Sequence, residues 1–167
     1  GTGLVGSEMC IRDSPGGEST VIGQMSLVNG AIKKIKEKIE SGMPVFGICA
    51  GMVFLSKNSQ DRIVGNVDQP LLDILDVKIE RNSFGRQKDS FEAKISMEPI
   101  GISSFHGVFI RAPSVSETGS GVEVLAKFNE KIVAVKQGNV IATAFHPELT
   151  KDTSLHKSFV KLVDNQS

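Results

Sequence analysis

The sequence predicts an α/β domain in which a sheet is flanked by helices and antiparallel strands are added late in the chain. Helical and apolar β-type segments alternate in the first half, and a β-rich stretch follows. A length of 167 residues, with 40% hydrophobic and 23% charged residues, suits one globular domain. The 19 basic residues balance the 19 acidic ones, which argues against a general attraction to nucleic acid or to an anionic membrane.

The first clear element is a helix that ends near residue 41. Its apolar residues are spaced three and four positions apart, so that they form one stripe: Met25, Val28, Ile32, Ile35 and Ile39. The charged run KKIKEKIE is interpreted as the solvated face of this helix rather than as a nucleic-acid patch. Ser41 and Gly42, with Pro44 close behind, predict its end.

The elements that follow are mostly strands. PVFGI, at residues 44–48, is an apolar run typical of a buried parallel strand, and CAGMVFLSK, at 49–57, predicts a helix. The later β-type runs cover residues 74–80, 91–97, 105–112, 122–128, 131–137 and 139–145. Asn129-Glu130 and Gly138-Asn139 predict turns between the last three strands, and a final helix is predicted over 153–162.

The segment GICAG predicts a catalytic cysteine at position 49. A strand that turns sharply into a helix exposes the side chain at the corner, and glycines two residues away on either side leave room for that turn. The N-terminal end of the helix favours the thiolate of Cys49, and the amide N–H of Ala50 is placed to hold a developing oxyanion. The alternative is that Cys49 is a small buried core residue, as most free cysteines are.

His146 is the best candidate for the base that such a nucleophile needs. It follows the strand NVIATAF, and Glu148 lies two positions further on, where an extended segment would point both side chains the same way. Glu148 would then fix the tautomer of His146 and stabilise its imidazolium. His106 is interpreted as a strand or turn residue, His156 as a surface helix position, and Cys10 as inert. No Cys/His spacing predicts a zinc site.

Five segments, in order, are similar to one known family: PGGEST, PVFGICAGM, ERNSFGRQKDSFEA, GVFIRAP and FHPELT. They resemble the PdxT/SNO family of class I (triad-type) glutamine amidotransferases, the glutaminase subunits of pyridoxal 5′-phosphate synthase. The resemblance implies a three-layer, flavodoxin-like fold with a mostly parallel sheet. It also implies hydrolysis of L-glutamine to L-glutamate and ammonia through a cysteine thioester, and delivery of the ammonia to a synthase subunit for vitamin B6 biosynthesis.

The same resemblance implies roles for individual residues. The catalytic residues would be Cys49, His146 and Glu148. The glutamine-binding residues would be Gly17, Glu18, Ser19, Arg81, Ile110 and Arg111. The oxyanion would be held by backbone N–H groups at Gly16, Gly17 and Ala50. No metal or cofactor is expected, and pyridoxal phosphate itself should not bind this chain.

Some of these matches have simpler interpretations. PGGEST can be only a turn, and as a phosphate-binding loop it lacks the lysine of a P-loop. Arg81 and Arg111 can be surface ion-pair residues. For Arg111 the apolar segment GVFIRAP makes this interpretation less favourable, because a buried guanidinium must be neutralised by a ligand carboxylate or by a structural acid.

Residues 1–14 do not fit the family pattern. They are interpreted as a non-native leader, followed by a single glutaminase domain over 15–167 that lacks the first strand or strands. The absence of a secretion-type signal, together with two free cysteines, predicts a cytoplasmic location. Two other functions remain open. One is a non-catalytic or inactive, truncated binding subunit of the same complex, and the other is a related cysteine peptidase.

Overall fold

A computed structural model describes residues 30–62, 65–66, 70–85 and 89–165 of the chain. Its helices are α1 (Ala31–Glu40), α2 (Ala50–Leu55) and α3 (Ser154–Asp164), and two 3₁₀ turns cover Glu98–Ile100 and Pro147–Leu149. Its strands are β1 (Val45–Ile48), β2 (Ser56–Asp61), β3 (Gly65–Asn66), β4 (Leu75–Arg81), β5 (Ser90–Met97), β6 (Ile102–Ile110), β7 (Ser114–Thr118), β8 (Glu123–Phe128), β9 (Lys131–Gln137) and β10 (Val140–Thr143).

The main sheet confirms the α/β class, with mixed strand directions. Its order is β1-β10-β9-β7-β4-β2-β3, with β8 pairing with β9, while β5 and β6 form a separate hairpin. Among the described strands only β1–β10 and β2–β4 are parallel, so the antiparallel share is larger than the resemblance implied. Short turns explain part of this antiparallel pairing, because a tight connection can join only antiparallel neighbours. The β8–β9 turn contains Asn129 and Glu130 with φ angles of 48° and 64°, and Gly138 has a φ of 55° between β9 and β10.

The prediction of a helix over residues 49–57 is wrong at the C-terminal end of the helix. It stops at Leu55, and β2 begins at Ser56. The amide N–H of Ile74 donates to the Leu55 carbonyl at 3.0 Å, and β2 then pairs in parallel with β4. The polar sequence SKNSQD carries no hydrophobic alternation, so pairing with β4 decides its conformation. The apolar stripe of α1 is confirmed from Ile32 to Ile39, while its first residues lie outside the described ranges.

Four phenylalanine side chains pack the β5–β6 hairpin onto the rest of the domain. This phenylalanine cluster consists of Phe84, Phe91, Phe109 and Phe128. Phe91 and Phe109 face each other across the hairpin and stack with ring centroids 4.6 Å apart and planes 5° from parallel. Phe109 also lies 5.5 Å from the ring of Phe145, which follows β10. The cluster therefore holds the hairpin against the carboxyl end of β10.

Candidate active site

Cys49 lies at the sharp turn between β1 and α2. Its φ angle of 51° is in the left-handed region, which is costly for a residue with a side chain and is typical of functional sites. Gly47 makes the turn possible, because a Cβ at that position would lie 2.5 Å from Leu55 Cδ1 and 3.1 Å from the backbone carbon of Gly51. The thiol is buried, with 4% of the residue exposed.

Parallel pairing of β1 with β10 brings the second candidate residue to the same sheet edge. Ile48 is in register with Thr143, and the amide N–H of Cys49 donates to the Thr143 carbonyl at 2.8 Å. Because parallel strands end at the same edge of a sheet, the segment after β10 passes beside the turn that contains Cys49. His146 lies in that segment, fully buried.

Glu148 contacts His146 through a tighter turn than the sequence suggested. His146 Nδ1 and Glu148 Oε1 are 2.8 Å apart, so the carboxylate can accept the Nδ1 proton. The expected extended segment is wrong here, since residues 147–149 form a 3₁₀ turn that starts immediately after His146. Pro147 suits the first position of such a turn, because its missing N–H needs no partner there. The contact fixes the His146 tautomer with its proton on Nδ1 and leaves Nε2 for the reacting groups.

The backbone of β6 contacts both candidate catalytic residues. The amide N–H of His146 donates to the carbonyl of Val108 at 2.8 Å, and the Cys49 thiol donates to the carbonyl of Ile110 at 3.9 Å. Sequence reasoning placed Ile110 near the site by resemblance but missed Val108 altogether. A backbone carbonyl leaves no signature in residue type, so only the register of the hairpin could have revealed this contact.

The electrostatics of the site centre on His146. Burial lowers the pKa of His146, but the interaction with the sulfur of Cys49 and the hydrogen bond to the Glu148 carboxylate outweigh burial and raise the pKa to about 10. His146 is therefore protonated at neutral pH, with the Glu148 carboxylate on its Nδ1 side. His146 Nε2 is buried and has no hydrogen-bond acceptor or donor of its own within the described ranges, which leaves it available to a substrate atom.

The residues implied as glutamine-binding or oxyanion-binding have different outcomes. Gly16, Gly17, Glu18 and Ser19 lie outside the described residues. Ala50 is the buried first residue of α2, directly after Cys49, and Ile110 is the half-buried last residue of β6. These two are brought to the site.

The two arginines lie at strand ends. Arg81 is the half-buried last residue of β4. Arg111 follows Ile110 with a φ angle of 44°, and its amide N–H donates to the Asp89 carbonyl at 2.6 Å. The expectation of a buried Arg111 guanidinium is wrong, because the residue is exposed and makes no ion pair with any described residue. The left-handed backbone after β6 turns the side chain out of the apolar segment to which its neighbours belong.

The other histidines have no contact with the candidate site. His106 is exposed on β6, as the strand interpretation expects, and its Nε2 lies 2.8 Å from Glu92 Oε2. His156 lies in α3 but is half-buried, with its ring centroid 5.6 Å from that of Phe46 in an edge-to-face arrangement, so the surface interpretation was too simple. Cys10 lies outside the described residues.

Two general findings concern the described part of the chain. In residues 30–62, 65–66, 70–85 and 89–165, His, Cys, Asp and Glu side chains form no group of three or more that suits a metal ion. None of the three described helices is both long and apolar enough to cross a membrane.

Comparisons with known proteins agree on one family. The model of the SNO glutamine amidotransferase family matches residues 10–165, a match that begins within the segment interpreted as a leader. The chain is 66% identical over 149 residues to the pyridoxal 5′-phosphate synthase subunit PdxT of Nitrosopumilus maritimus, covering 89% of this chain and 73% of that protein. The PdxT subunit of Moorella thermoacetica is 48% identical over 149 residues, with coverage of 89% and 77%. A crystal structure of a glutamine amidotransferase, 46% identical, superimposes with a TM-score of 0.80 over 90% of this chain and 77% of that one.

Proposed function

The chain belongs to the SNO glutamine amidotransferase family, and on that premise we propose that it is the glutaminase subunit of a pyridoxal 5′-phosphate synthase. It hydrolyses L-glutamine to L-glutamate and ammonia and supplies the ammonia to the synthase subunit. The observation that carries the proposal is the contact between His146 and Glu148 at the sheet edge where Cys49 lies on its strained turn. A nucleophile, a base and an orienting carboxylate are the groups that amide hydrolysis by a thiol requires.

In the first half of the reaction, the Cys49 thiolate attacks the side-chain carboxamide carbon of glutamine. The carbonyl π electrons move to oxygen, and backbone N–H groups such as that of Ala50 stabilise the resulting oxyanion. The tetrahedral intermediate collapses when His146 Nε2 donates its proton to the departing nitrogen, which leaves as ammonia. A γ-glutamyl thioester on Cys49 and a neutral His146 remain.

In the second half, neutral His146 takes a proton from water at Nε2, and the water oxygen attacks the thioester carbon. Collapse of the second intermediate expels the Cys49 thiolate, releases glutamate and leaves His146 as the imidazolium with which the cycle began. Glu148 keeps its contact with Nδ1 in both halves, so that Nε2 is always the nitrogen that faces the reacting atoms. Arg81, Ile110 and Arg111, with residues 17–19, complete the proposed glutamine site.

The proposed partner is the synthase subunit, which receives the ammonia in a hetero-oligomeric complex. The name shared by the relatives, a subunit of pyridoxal 5′-phosphate synthase, supports this assignment. A cytoplasmic location is part of the proposal, because a nucleophile such as Cys49 must remain a reduced thiol.

The test compares two cysteine variants of the full chain in complex with the synthase subunit of the same organism. Cys49→Ala removes the nucleophile, and we expect glutamate release to fall by about 10³-fold or more. Cys10→Ser is the matched control and should keep wild-type activity. Ammonium salts added to the Cys49→Ala complex should restore pyridoxal phosphate formation, because they replace only the missing glutaminase product. Glutamate release by Cys49→Ala above a tenth of the wild-type rate would refute the role of Cys49, and a wild-type complex without glutaminase activity would refute the proposed function.

A further inference from the structure

The strand β6 contacts both catalytic candidates through backbone carbonyls that lie two residues apart. The carbonyl of Val108 accepts from the His146 amide at 2.8 Å, and that of Ile110 accepts from the Cys49 thiol at 3.9 Å. Along a strand, carbonyls of residues i and i+2 point in the same direction at a fixed separation. A tilt of this part of β6 therefore moves the contact to His146 and the contact to Cys49 by different amounts, which changes the spacing of the two residues.

Phe109 lies between these two carbonyls, and its side chain is held by the phenylalanine cluster and by Phe145. It is fully buried, and it stacks on Phe91 of the neighbouring strand. Phe84 and Phe128 lie 5.8 Å and 5.7 Å from its ring. Aromatic pairs of this geometry contribute about 0.5–1.5 kcal/mol each beyond the burial of their area, so the Phe109 side chain is the strongest fixed point on this part of the strand.

We propose that Phe109, held by its stack on Phe91, is a positioning residue that sets the spacing of Cys49 and His146 through the carbonyls of Val108 and Ile110. This inference rests on the proposed function. Phe109 contacts no reacting atom and acts through the backbone on either side of it, while its ring contact with Phe145 has a counterpart in that of Phe105. A smaller side chain at 109 loosens the packing that fixes the strand, and displacements of about 1 Å near a catalytic centre can cost on the order of 10²-fold in rate.

Phe105 provides a matched control on the same strand. It is fully buried like Phe109, and it also packs against Phe145, with ring centroids 5.7 Å apart. It lies four residues before Phe109, away from the carbonyls of Val108 and Ile110. Phe105→Leu and Phe109→Leu therefore remove similar buried volume from one strand and differ in their distance from the two catalytic contacts.

The experiment uses three measurements on the full chain. The first is the kcat and KM of glutamine hydrolysis in complex with the synthase subunit. The second is the pH dependence of Cys49 alkylation by iodoacetamide, measured in a Cys10→Ser background so that Cys49 is the thiol observed. The third is the midpoint of thermal unfolding, which reports the packing loss. The alkylation profile reports the contact between Cys49 and His146, because a nearby imidazolium favours the reactive thiolate, and a purely structural role of Phe109 would leave the profile unchanged.

For Phe109→Leu we expect kcat to fall about tenfold or more, KM to stay within about twofold, and the alkylation profile to shift by about half a pH unit or more. For Phe105→Leu we expect a similar loss of thermal stability but a kcat within about threefold of wild type and an unshifted profile. Phe91→Leu removes the stacking partner of Phe109 and should shift the alkylation profile in the same direction by a smaller amount. This variant tests the inference if Phe109→Leu fails to fold.

Equal effects of Phe109→Leu and Phe105→Leu on kcat, or unchanged alkylation profiles in both Phe109→Leu and Phe91→Leu, overturn the inference. The alkylation measurement needs no glutaminase activity. If the wild-type complex does not hydrolyse glutamine, the proposed function fails, while the alkylation profiles still decide whether Phe109 positions the Cys49–His146 pair.

Discussion

The contact between Glu148 and His146 allows a quantitative prediction for the variant Glu148→Gln. The substitution keeps the shape of the side chain but removes its charge, so the acceptor of the hydrogen bond at 2.8 Å becomes neutral. Glu148 Oε2 is buried without a partner among the described residues, so an amide nitrogen in its place would also be unsatisfied. Hydrogen bonds to charged groups contribute about 1.5–3 kcal/mol, and about 1.4 kcal/mol corresponds to a tenfold change in rate. We therefore expect kcat to fall by about 10- to 150-fold.

The pH dependence of the same variant follows from the pKa of His146. Glu148 is one of the two groups that raise this pKa to about 10, so its neutralisation lowers the pKa. Proton donation to the leaving ammonia requires the imidazolium, which Glu148→Gln then loses at a lower pH. The basic limb of the kcat/KM profile for glutamine hydrolysis should consequently move toward lower pH.

Glu92 is the matched control, because Glu92 Oε2 and His106 Nε2 are also 2.8 Å apart. In that pair the side chains are 63% and 50% exposed, whereas those of Glu148 and His146 are 20% and 0% exposed. Solvent screens an exposed pair, so Glu92→Gln should leave both kcat and the pH profile unchanged. A Glu148→Gln enzyme with wild-type kcat and an unmoved basic limb would refute the reasoning, as would equal losses in the two variants.

Two further predictions concern the folded state. Gly47→Ala forces a methyl group against Leu55 and should lower the free energy of unfolding, measured by urea denaturation, by about 1–3 kcal/mol. Glutaminase activity should be lost as well. The control is Gly121→Ala, where a Cβ meets open space, and it should leave the free energy of unfolding unchanged. The pKa of His146 is higher in the folded chain, about 10, than its ordinary 6.5, so its stabilising contribution is complete below about pH 6.5 and is lost as the pH rises to about 10. His146→Asn should flatten the pH dependence of the unfolding free energy across that range, and an unchanged slope would contradict this assignment.

The sequence predicted the elements in which local pattern and tertiary structure agree. The apolar run within residues 131–137 predicted a strand and forms β9 with the same bounds, and the glycine on each side of Cys49 correctly indicated a turn between strand and helix. β2 could not be predicted, because its polar residues become a strand only through pairing with β4. β7 was missed for a similar reason, since SVSET has few apolar residues and pairs between β4 and β9.

The candidate site also combines features that the sequence predicted with features that it could not predict. The identities of Cys49, His146 and Glu148 were accessible from residue type, spacing and resemblance, and they remain predictions that the variants above test. The contacts of the Val108 and Ile110 carbonyls were not accessible, because they depend on where a hairpin is packed rather than on any side chain. The exposure of Arg111 was also hidden, since an apolar neighbourhood in sequence does not reveal a left-handed backbone angle.

The pairing of β1 with β10 has a consequence for the chain during its synthesis. Val45 and Val140 are in register although they are about 95 residues apart, so the loop between them must close before the pair can form. On the ribosome, Cys49 emerges long before His146. Until then the thiol has neither the imidazolium nor the strained turn that makes it reactive. During translation Cys49 therefore has the reactivity of an ordinary cysteine, and it is activated only in a chain that has completed its fold.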